Sequence, residues 1–405
     1  MMLEATYKIT TPMFIAGAEQ EKTPELRPPS FKGLLRFWFR AIALPRLGDW
    51  RKVQKLENEI FGSTDRQSSF YLDLDILDIA EEKNKSIGDF KEKYGLIYLG
   101  HGLVNYKGEL QRLHYTSSSI FNLRLLFKEK EGEITEKAKL FLPLTLKALG
   151  FFGGAGARSR RGFGSLSLLS LSLDGQKIWE PPNNVDELIE DQRELINELG
   201  IKTEEESGLP DYTAFSSKTK IWIGKTGSQA IDVLNEIGLE LLRYRSYGKN
   251  KNGKHILSNG EAAEQNFKPD HDLLMQFCQT GELENFPDRM VFGLPHNYYF
   301  SSTRTKYNVQ IHPIGKANRR ASPLFIHIHE LANDSYAAVL SLFPVRFLPQ
   351  NTTISISVKE RRTPNERYKN KFNKRINYNK ESAEYQIIEN FMERSAFSHK
   401  VVVWP

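Results

Sequence analysis

The residues with the clearest chemical potential are arginines set among glycines. Gly150–Gly164 reads GFFGGAGARSRRGFG, six glycines interleaved with Arg158, Arg160 and Arg161. Glycine lets backbone N–H groups approach an anion closely, and guanidinium groups add bidentate, charge-assisted contacts, so the pattern suits a phosphate. The stretch has no GK[ST] ending and precedes a strand rather than a helix, so it is neither a P-loop nor a dinucleotide fingerprint. A plain glycine linker is the alternative reading. Arg27–Arg40 (RPPSFKGLLRFWFR) sets Lys32, Arg36 and Arg40 four residues apart, a basic stripe on one helix face. Lys316–Leu324 (KANRRASPL) places Arg319 and Arg320 just before a strand, and Arg243–Lys249 (RYRSYGK) interleaves arginine with tyrosine. That last composition suits phosphate contact with base stacking, and equally a flexible loop.

Catalytic groupings are sparse by comparison. His327 and His329 share a strand face without a third ligand at metal-site spacing, so a structural role is the better reading. His101 and His114 are isolated candidates for a general base in RNA cleavage. Asp73 and Asp75 alternate with apolar residues and read as solvated strand carboxylates. No nucleophile-elbow or zinc-protease signature occurs. Neither a metal nor a cofactor is expected, and the chain is expected not to be an enzyme.

Charge along the chain supports an anionic partner. The net charge of +6 conceals segregation: Arg27–Lys52 holds seven basic residues and one acid, while Glu180–Pro210 holds ten acids. Arg289–His329 has no acid in 41 residues, and Lys359–Lys380 carries nine basic residues against two acids. Polyanion contact draws mainly on Lys and Arg, so segregated basic surfaces fit a nucleic acid. Each run taken alone also fits a solvated face or a loose loop.

The elements that must position these residues follow from periodicity. Ala5–Thr10, Phe70–Leu77, Ile120–Phe127 and Leu166–Leu173 read as strands. A helix capped by Ser30 is expected to run to Leu44 and stop at Pro45, burying Phe31, Leu34, Leu35, Trp38 and Ile42. Lys139–Leu149 reads as a second helix despite Pro143. The order β-α-β-β-α-β is the ferredoxin-like motif with long insertions. Further on, Val185–Leu199, Ser228–Leu242, Asp270–Cys278 and Lys380–Met392 have helical spacing. Thr219–Ile223, Pro323–His329 and Tyr336–Phe343 read as strands, the last two paired, and Arg243–Gly260 as a polar loop.

The predicted fold class is α+β, with two ferredoxin-like (RRM-like) domains carrying long insertions. The first is expected over residues 1–178. Residues 179–405 would hold an acidic connecting segment, the second such domain, and a C-terminal basic arm and helix, the arm ordering only on assembly. With 405 residues, 40% hydrophobic and 26% charged, the chain can bury a substantial core. One cysteine, Cys278, excludes a disulfide scaffold. The start MMLEATYKIT lacks a secretory pattern, and the most apolar stretch, Leu140–Ala157, is broken by glycines. A cytoplasmic protein without a membrane partner is expected.

The T-P-x-F-I-x-G start (Thr11–Gly17), the RPPSFKGLLRFWFR stretch and the GGAGARSRRGFG loop together resemble the RAMP superfamily of CRISPR-associated proteins. Within it, they are similar to the first-named subunit family of Cmr (type III-B) RNA-guided effector complexes. The clear likeness covers about residues 6–173, with RRASPL near 319–324 as a weaker anchor. The resemblance implies two RNA-recognition-like folds and a noncatalytic, RNA-binding role near the 3′ end of the guide, in antiviral defence. Its implied partners are a CRISPR guide RNA, single-stranded target RNA and other Cmr subunits. Position by position, it implies RNA contact by Lys32, Arg36, Arg40, Arg158, Arg160 and Arg161, and more weakly by Arg319 and Arg320. Some RAMP relatives are metal-independent endoribonucleases that process CRISPR transcripts, which is the alternative function. Those carry their glycine loop near the C-terminus, whereas here it is mid-chain.

Overall fold

A computed structural model describes residues 1–17, 23–78, 90–129, 131–201, 208–300, 303–315, 318–363, 365–378 and 385–397. The acidic run at 202–207, Lys316 and the expected helix start at Lys380 lie outside the described residues.

The N-terminal half builds one layer of sheet and one of helix. Its elements are β1 (Met2–Ile9), α1 (Pro28–Leu47), α2 (Trp50–Phe61), β2 (Phe70–Asp78), α3 (Tyr94–Leu99), β3 (Ile120–Phe127), α4 (Glu133–Phe152), β4 (Leu166–Leu173), β5 (Gln176–Trp179) and α5 (Val185–Glu198). The sheet order is β2-β3-β1-β4-β5, every pair antiparallel. β1 is central, and its side chains alternate so that Leu3, Ala5, Tyr7 and Ile9 are buried. α1 and α4 cover that face, and the Tyr7 hydroxyl donates to the Leu146 carbonyl at 2.8 Å. The sequence-derived strands β3 and β4 and both covering helices are present in the expected order.

α1 departs from its expected limits at both ends. It begins at Pro28, where the missing N–H costs nothing, so Ser30 is inside the helix and caps nothing. It also runs through Pro45 to Leu47, closed by Gly48 in a left-handed conformation. A proline leaves the carbonyl four residues earlier unserved. Here that carbonyl, Ala41, accepts instead from the Phe215 N–H at 3.0 Å. The helix break expected at Pro45 is thereby averted by a contact from the other half of the chain.

The C-terminal half contains β6 (Lys220–Gly227), α6 (Ala230–Arg245), β7 (Lys249–Lys251), β8 (Lys254–Ile256), α7 (Lys268–Thr280), β9 (His296–Phe300), β10 (Lys306–Ile314), β11 (Leu324–Glu330), β12 (Tyr336–Leu342), β13 (Thr352–Arg361), β14 (Lys369–Tyr378) and α8 (Gln386–Met392). β11, β12 and β6 form a three-stranded antiparallel sheet in that order, with α6 in the crossover that follows β6. A separate sheet runs β14-β13-β10-β9. The stretch expected as a polar loop contains the β7–β8 hairpin. The stretch expected as a basic arm is instead the β13–β14 hairpin, whose Ile354, Ile356, Val358 and Tyr378 are buried. Its alternation of apolar with Lys, Arg and Asn is a half-buried strand pattern that the charge obscured.

Each half contributes to both hydrophobic clusters. Phe215, Ile221, Phe325 and Phe343 join the N-terminal core, while Phe14, Leu96, Leu99 and Phe163 join the C-terminal one. Trp38 and Phe152 meet Phe215, Phe325 and Phe343 in a continuous aromatic group, with Phe215 and Phe343 centroids 5.0 Å apart. Such pairs each add ~0.5–1.5 kcal/mol beyond burial. β11 would otherwise expose a free edge in this seam. Its N–H groups are taken up by the Arg160 carbonyl (from Ile326, 3.0 Å), the Ser165 hydroxyl (from Ile328, 3.1 Å) and the Ser167 hydroxyl (from Glu330, 2.8 Å). Among the described residues no helix is long and apolar enough to cross a membrane.

Candidate nucleic-acid interface

The glycine loop leaves α4 at Gly153 and enters β4 at Ser165, and close packing shapes it throughout. The Thr11 hydroxyl donates to the Gly162 carbonyl at 2.6 Å, Gly164 N–H to Pro12 at 2.9 Å, and Ala157 N–H to Phe14 at 2.8 Å. Gly156 and Gly164 both have positive φ (85° and 63°). A Cβ on Gly156 would lie 2.6 Å from the Phe14 carbonyl oxygen, and one on Gly164 2.1 Å from that of Ala155. Glycine is needed for close approach, so the linker reading fails: the loop is clamped by the TPMF segment.

Each arginine of this loop faces another arginine from the C-terminal half. Arg158 is exposed, donates to the His101 carbonyl and lies near Arg319; burial and then Arg319 lower its pKa. Arg160 is sandwiched between Phe325 (4.5 Å) and Phe37 (5.4 Å) and donates to the Ser322 carbonyl at 2.7 Å. Burial, and secondarily Arg320, push it down to about 10, so it remains charged near neutral pH. Arg161 donates to the Leu99 carbonyl at 3.4 Å, with its pKa lowered chiefly by burial. It lies within electrostatic reach of Arg245, the last residue of α6, and Arg245 in turn adjoins Arg289. The Arg320 main chain pairs with Leu294, so Arg319 and Arg320 are set along the same seam.

None of these seven arginines makes an ion pair among the described residues. Three other arginines are neutralised by carboxylates: Arg124 by Glu4, Asp73 and Asp75, Arg243 by Glu240 and Glu261, and Arg394 by Glu240 and Glu264. Two members of the expected stripe on α1, Arg36 and Arg40, belong to this second kind. Arg36 and Arg40 each reach the buried Glu57 carboxylate at 3.0 Å, and Arg36 also lies over Phe61. Lys32 stands beside them near Lys128, its pKa lowered by burial first and by Arg36 and Lys128 after it. The eight expected residues thus divide: Arg158, Arg160, Arg161, Arg319 and Arg320 converge on the seam, and Lys32, Arg36 and Arg40 sit on a different face of α1.

Two seam arginines were not expected there. Arg245 lies in the RYRSYGK motif and Arg289 opens the acid-free segment, so both belong to stretches whose composition is basic. What the sequence lacked was their burial beside Arg161. The same motif's Arg243 is ion-paired, and Tyr247 stacks on His271 at 3.9 Å. His327 and His329 are fully buried. His327 Nδ1 donates to the Gly153 carbonyl at 2.8 Å and its Nε2 meets His329 Nδ1 at 3.3 Å, which makes them structural groups at the base of the loop. No metal-binding group of His, Cys, Asp or Glu occurs among the described residues.

Residues 6–167, which hold the N-terminal sheet with its two covering helices and clamped glycine loop, match the RAMP superfamily. More particularly, the chain is similar to the CRISPR system Cmr subunit Cmr1-1 of Pyrococcus furiosus, 26% identical over 339 residues that cover 81% of this chain and 83% of that protein. It is 25% identical over 189 residues to Cmr1-2 of the same organism, covering 42% of this chain and 97% of that one. In fold it resembles the apo crystal structure of Cmr1 from Pyrococcus furiosus, with a TM-score of 0.56 at 20% identity, covering 100% of this chain and 99% of that chain. It also resembles a chain of the type III-B Cmr-beta complex bound to cognate target RNA, with a TM-score of 0.50 at 12% identity over 84% of this chain and 94% of that one.

Proposed function

We propose that this chain is an RNA-binding, noncatalytic structural subunit of a type III-B CRISPR (Cmr) effector complex, working in the cytoplasm with guide RNA, target RNA and other Cmr subunits. The observation that carries this reading is the arginine seam, seven guanidinium groups without carboxylate partners among the described residues, where Arg124, Arg243 and Arg394 are each held by two or three. Guanidinium groups without carboxylate partners along the seam suit a phosphate backbone. The similarity to Cmr1-1 supports the complex. We read the halves as two ferredoxin-like domains, 1–178 and 179–405. The β6-α6-β11-β12 order repeats the first half's β-α-β-β, and the β9-β10-β13-β14 sheet is an insertion.

The test is binding of labelled single-stranded RNA at several salt concentrations, with a gel in EDTA to detect cleavage. Intact RNA and salt-sensitive binding are expected. Replacing the exposed pair Arg158 and Arg319 by Gln should weaken binding regardless of sequence and make the salt slope shallower by about 2, one for each phosphate contact. Discrete cutting, or an unchanged slope in the double variant, overturns the reading.

A further inference from the structure

Beneath the glycine loop, three of the seam arginines gather around one point from three distant parts of the chain. Arg161 comes from the loop, Arg245 from the end of α6 and Arg289 from the 3-10 turn Asp288–Phe292; His296, at the start of β9, stands beside them. The Arg245 side chain is buried, its guanidinium 4.3 Å from the Phe292 ring centre. Arg289 lies 4.3 Å over Tyr298 and donates to the Arg245 carbonyl at 2.7 Å. In both, the buried Nε has no hydrogen-bond partner.

We propose that Arg161, Arg245 and Arg289 form a recess that takes a single phosphate group, with Arg245 as its floor. This rests on the RNA reading only for where the phosphate comes from. In Arg245 and Arg289 aromatic stacking occupies a guanidinium face and leaves the unpartnered Nε–H at the edge, and it is the edge that grips a tetrahedral oxyanion. Arg161, Arg289, His296 and Tyr98 are partly exposed, so the recess opens on their side. The acid facing it is Asp270, and both its oxygens are already engaged by the N–H groups of Asp288 and Arg289 and by the Tyr298 hydroxyl. Burial, together with Arg289 and Arg245, keeps His296 neutral, so it adds a polar edge without a fourth charge. Burying like charges without a counter-ion opposes folding, and a bound phosphate offsets it.

The experiment compares thermal unfolding of the full chain in chloride and in inorganic phosphate at equal ionic strength, alongside single-stranded RNA binding. It uses the wild type, Arg245→Gln and the less buried Arg289→Gln. Phosphate should raise the wild-type Tm by several degrees and leave both variants unmoved. In chloride the variants should match or exceed the wild type, because like-charge repulsion is relieved. If the phosphate comes from RNA, each variant should also lose RNA affinity several-fold. Unchanged RNA affinity with a lost phosphate response keeps the recess and assigns it to free phosphate. A phosphate response equal in wild type and variants, or absent in all, overturns the recess while salt-dependent RNA binding still stands. A wild type that responds through Arg245 yet binds no RNA keeps the recess and sinks the RNA reading.

Discussion

Acidification should loosen this protein through the histidine pair at the base of the glycine loop. A carbonyl only accepts, so the His327 Nδ1 bonded to Gly153 carries its proton, and Nε2 accepts from His329 Nδ1–H. A further proton on His327 would point at that N–H inside an apolar wall. Burial accordingly drives the His327 pKa down to about 4, and that of His329 well below its ordinary value, with His327 as a lesser cause. The unfolded chain, with histidines near ~6.5, binds more protons below that pH, so stability rises with pH. The contribution is complete above pH ~6.5 and is lost as the pH falls from there toward about 4. Between about pH 7 and about pH 5, the two values give a loss on the order of 2 kcal/mol from His327 alone. The assay is urea unfolding at both pH values, for the wild type and for His327→Asn, whose amide can still donate to Gly153. The variant should be less stable at neutral pH, because it leaves a cavity. Its loss on acidification should be smaller than the wild type's by roughly 2 kcal/mol. An equal loss in both proteins would refute the reasoning.

Two further outcomes follow from particular contacts. Glu57→Gln should destabilise by about 1–3 kcal/mol, read as a lower urea midpoint, since the removed carboxylate is buried while the two arginines it serves are partly solvated. It should leave RNA affinity undiminished, because the arginines it releases gain free charge. Gly164→Ala should cost more than ~2 kcal/mol and reduce RNA affinity by displacing the loop. Gly48→Ala shares the positive φ but has open space around its Cβ, and should cost only about 1 kcal/mol. Equal costs at the two glycines would show that close packing of the loop is unimportant.

Much of the N-terminal half could be read from residue order. β3 and β4 fall on the expected residues because a strand buried on one or both faces leaves a dense apolar record over a short span. The arginines of the glycine loop were legible for a similar reason, since glycine and arginine in one short run have few other uses. The β9-β10-β13-β14 sheet was not legible. Its lysines and arginines look like a solvated arm until the partner strands are known, and strand pairing is a long-range property.

The sequence by itself determined which segments carry unbalanced positive charge, and that a glycine-arginine loop lies between a helix and a strand. Tertiary structure alone decided which of those charges remain available. Arg40 and Arg160 differ little as residues, yet one faces Glu57 and the other faces Arg320. Likewise, Pro45 ends no helix because Phe215, far along the chain, serves the carbonyl it abandons. Coulomb energy and desolvation depend on separation and burial, which belong to pairs of groups in space, and local composition does not contain them.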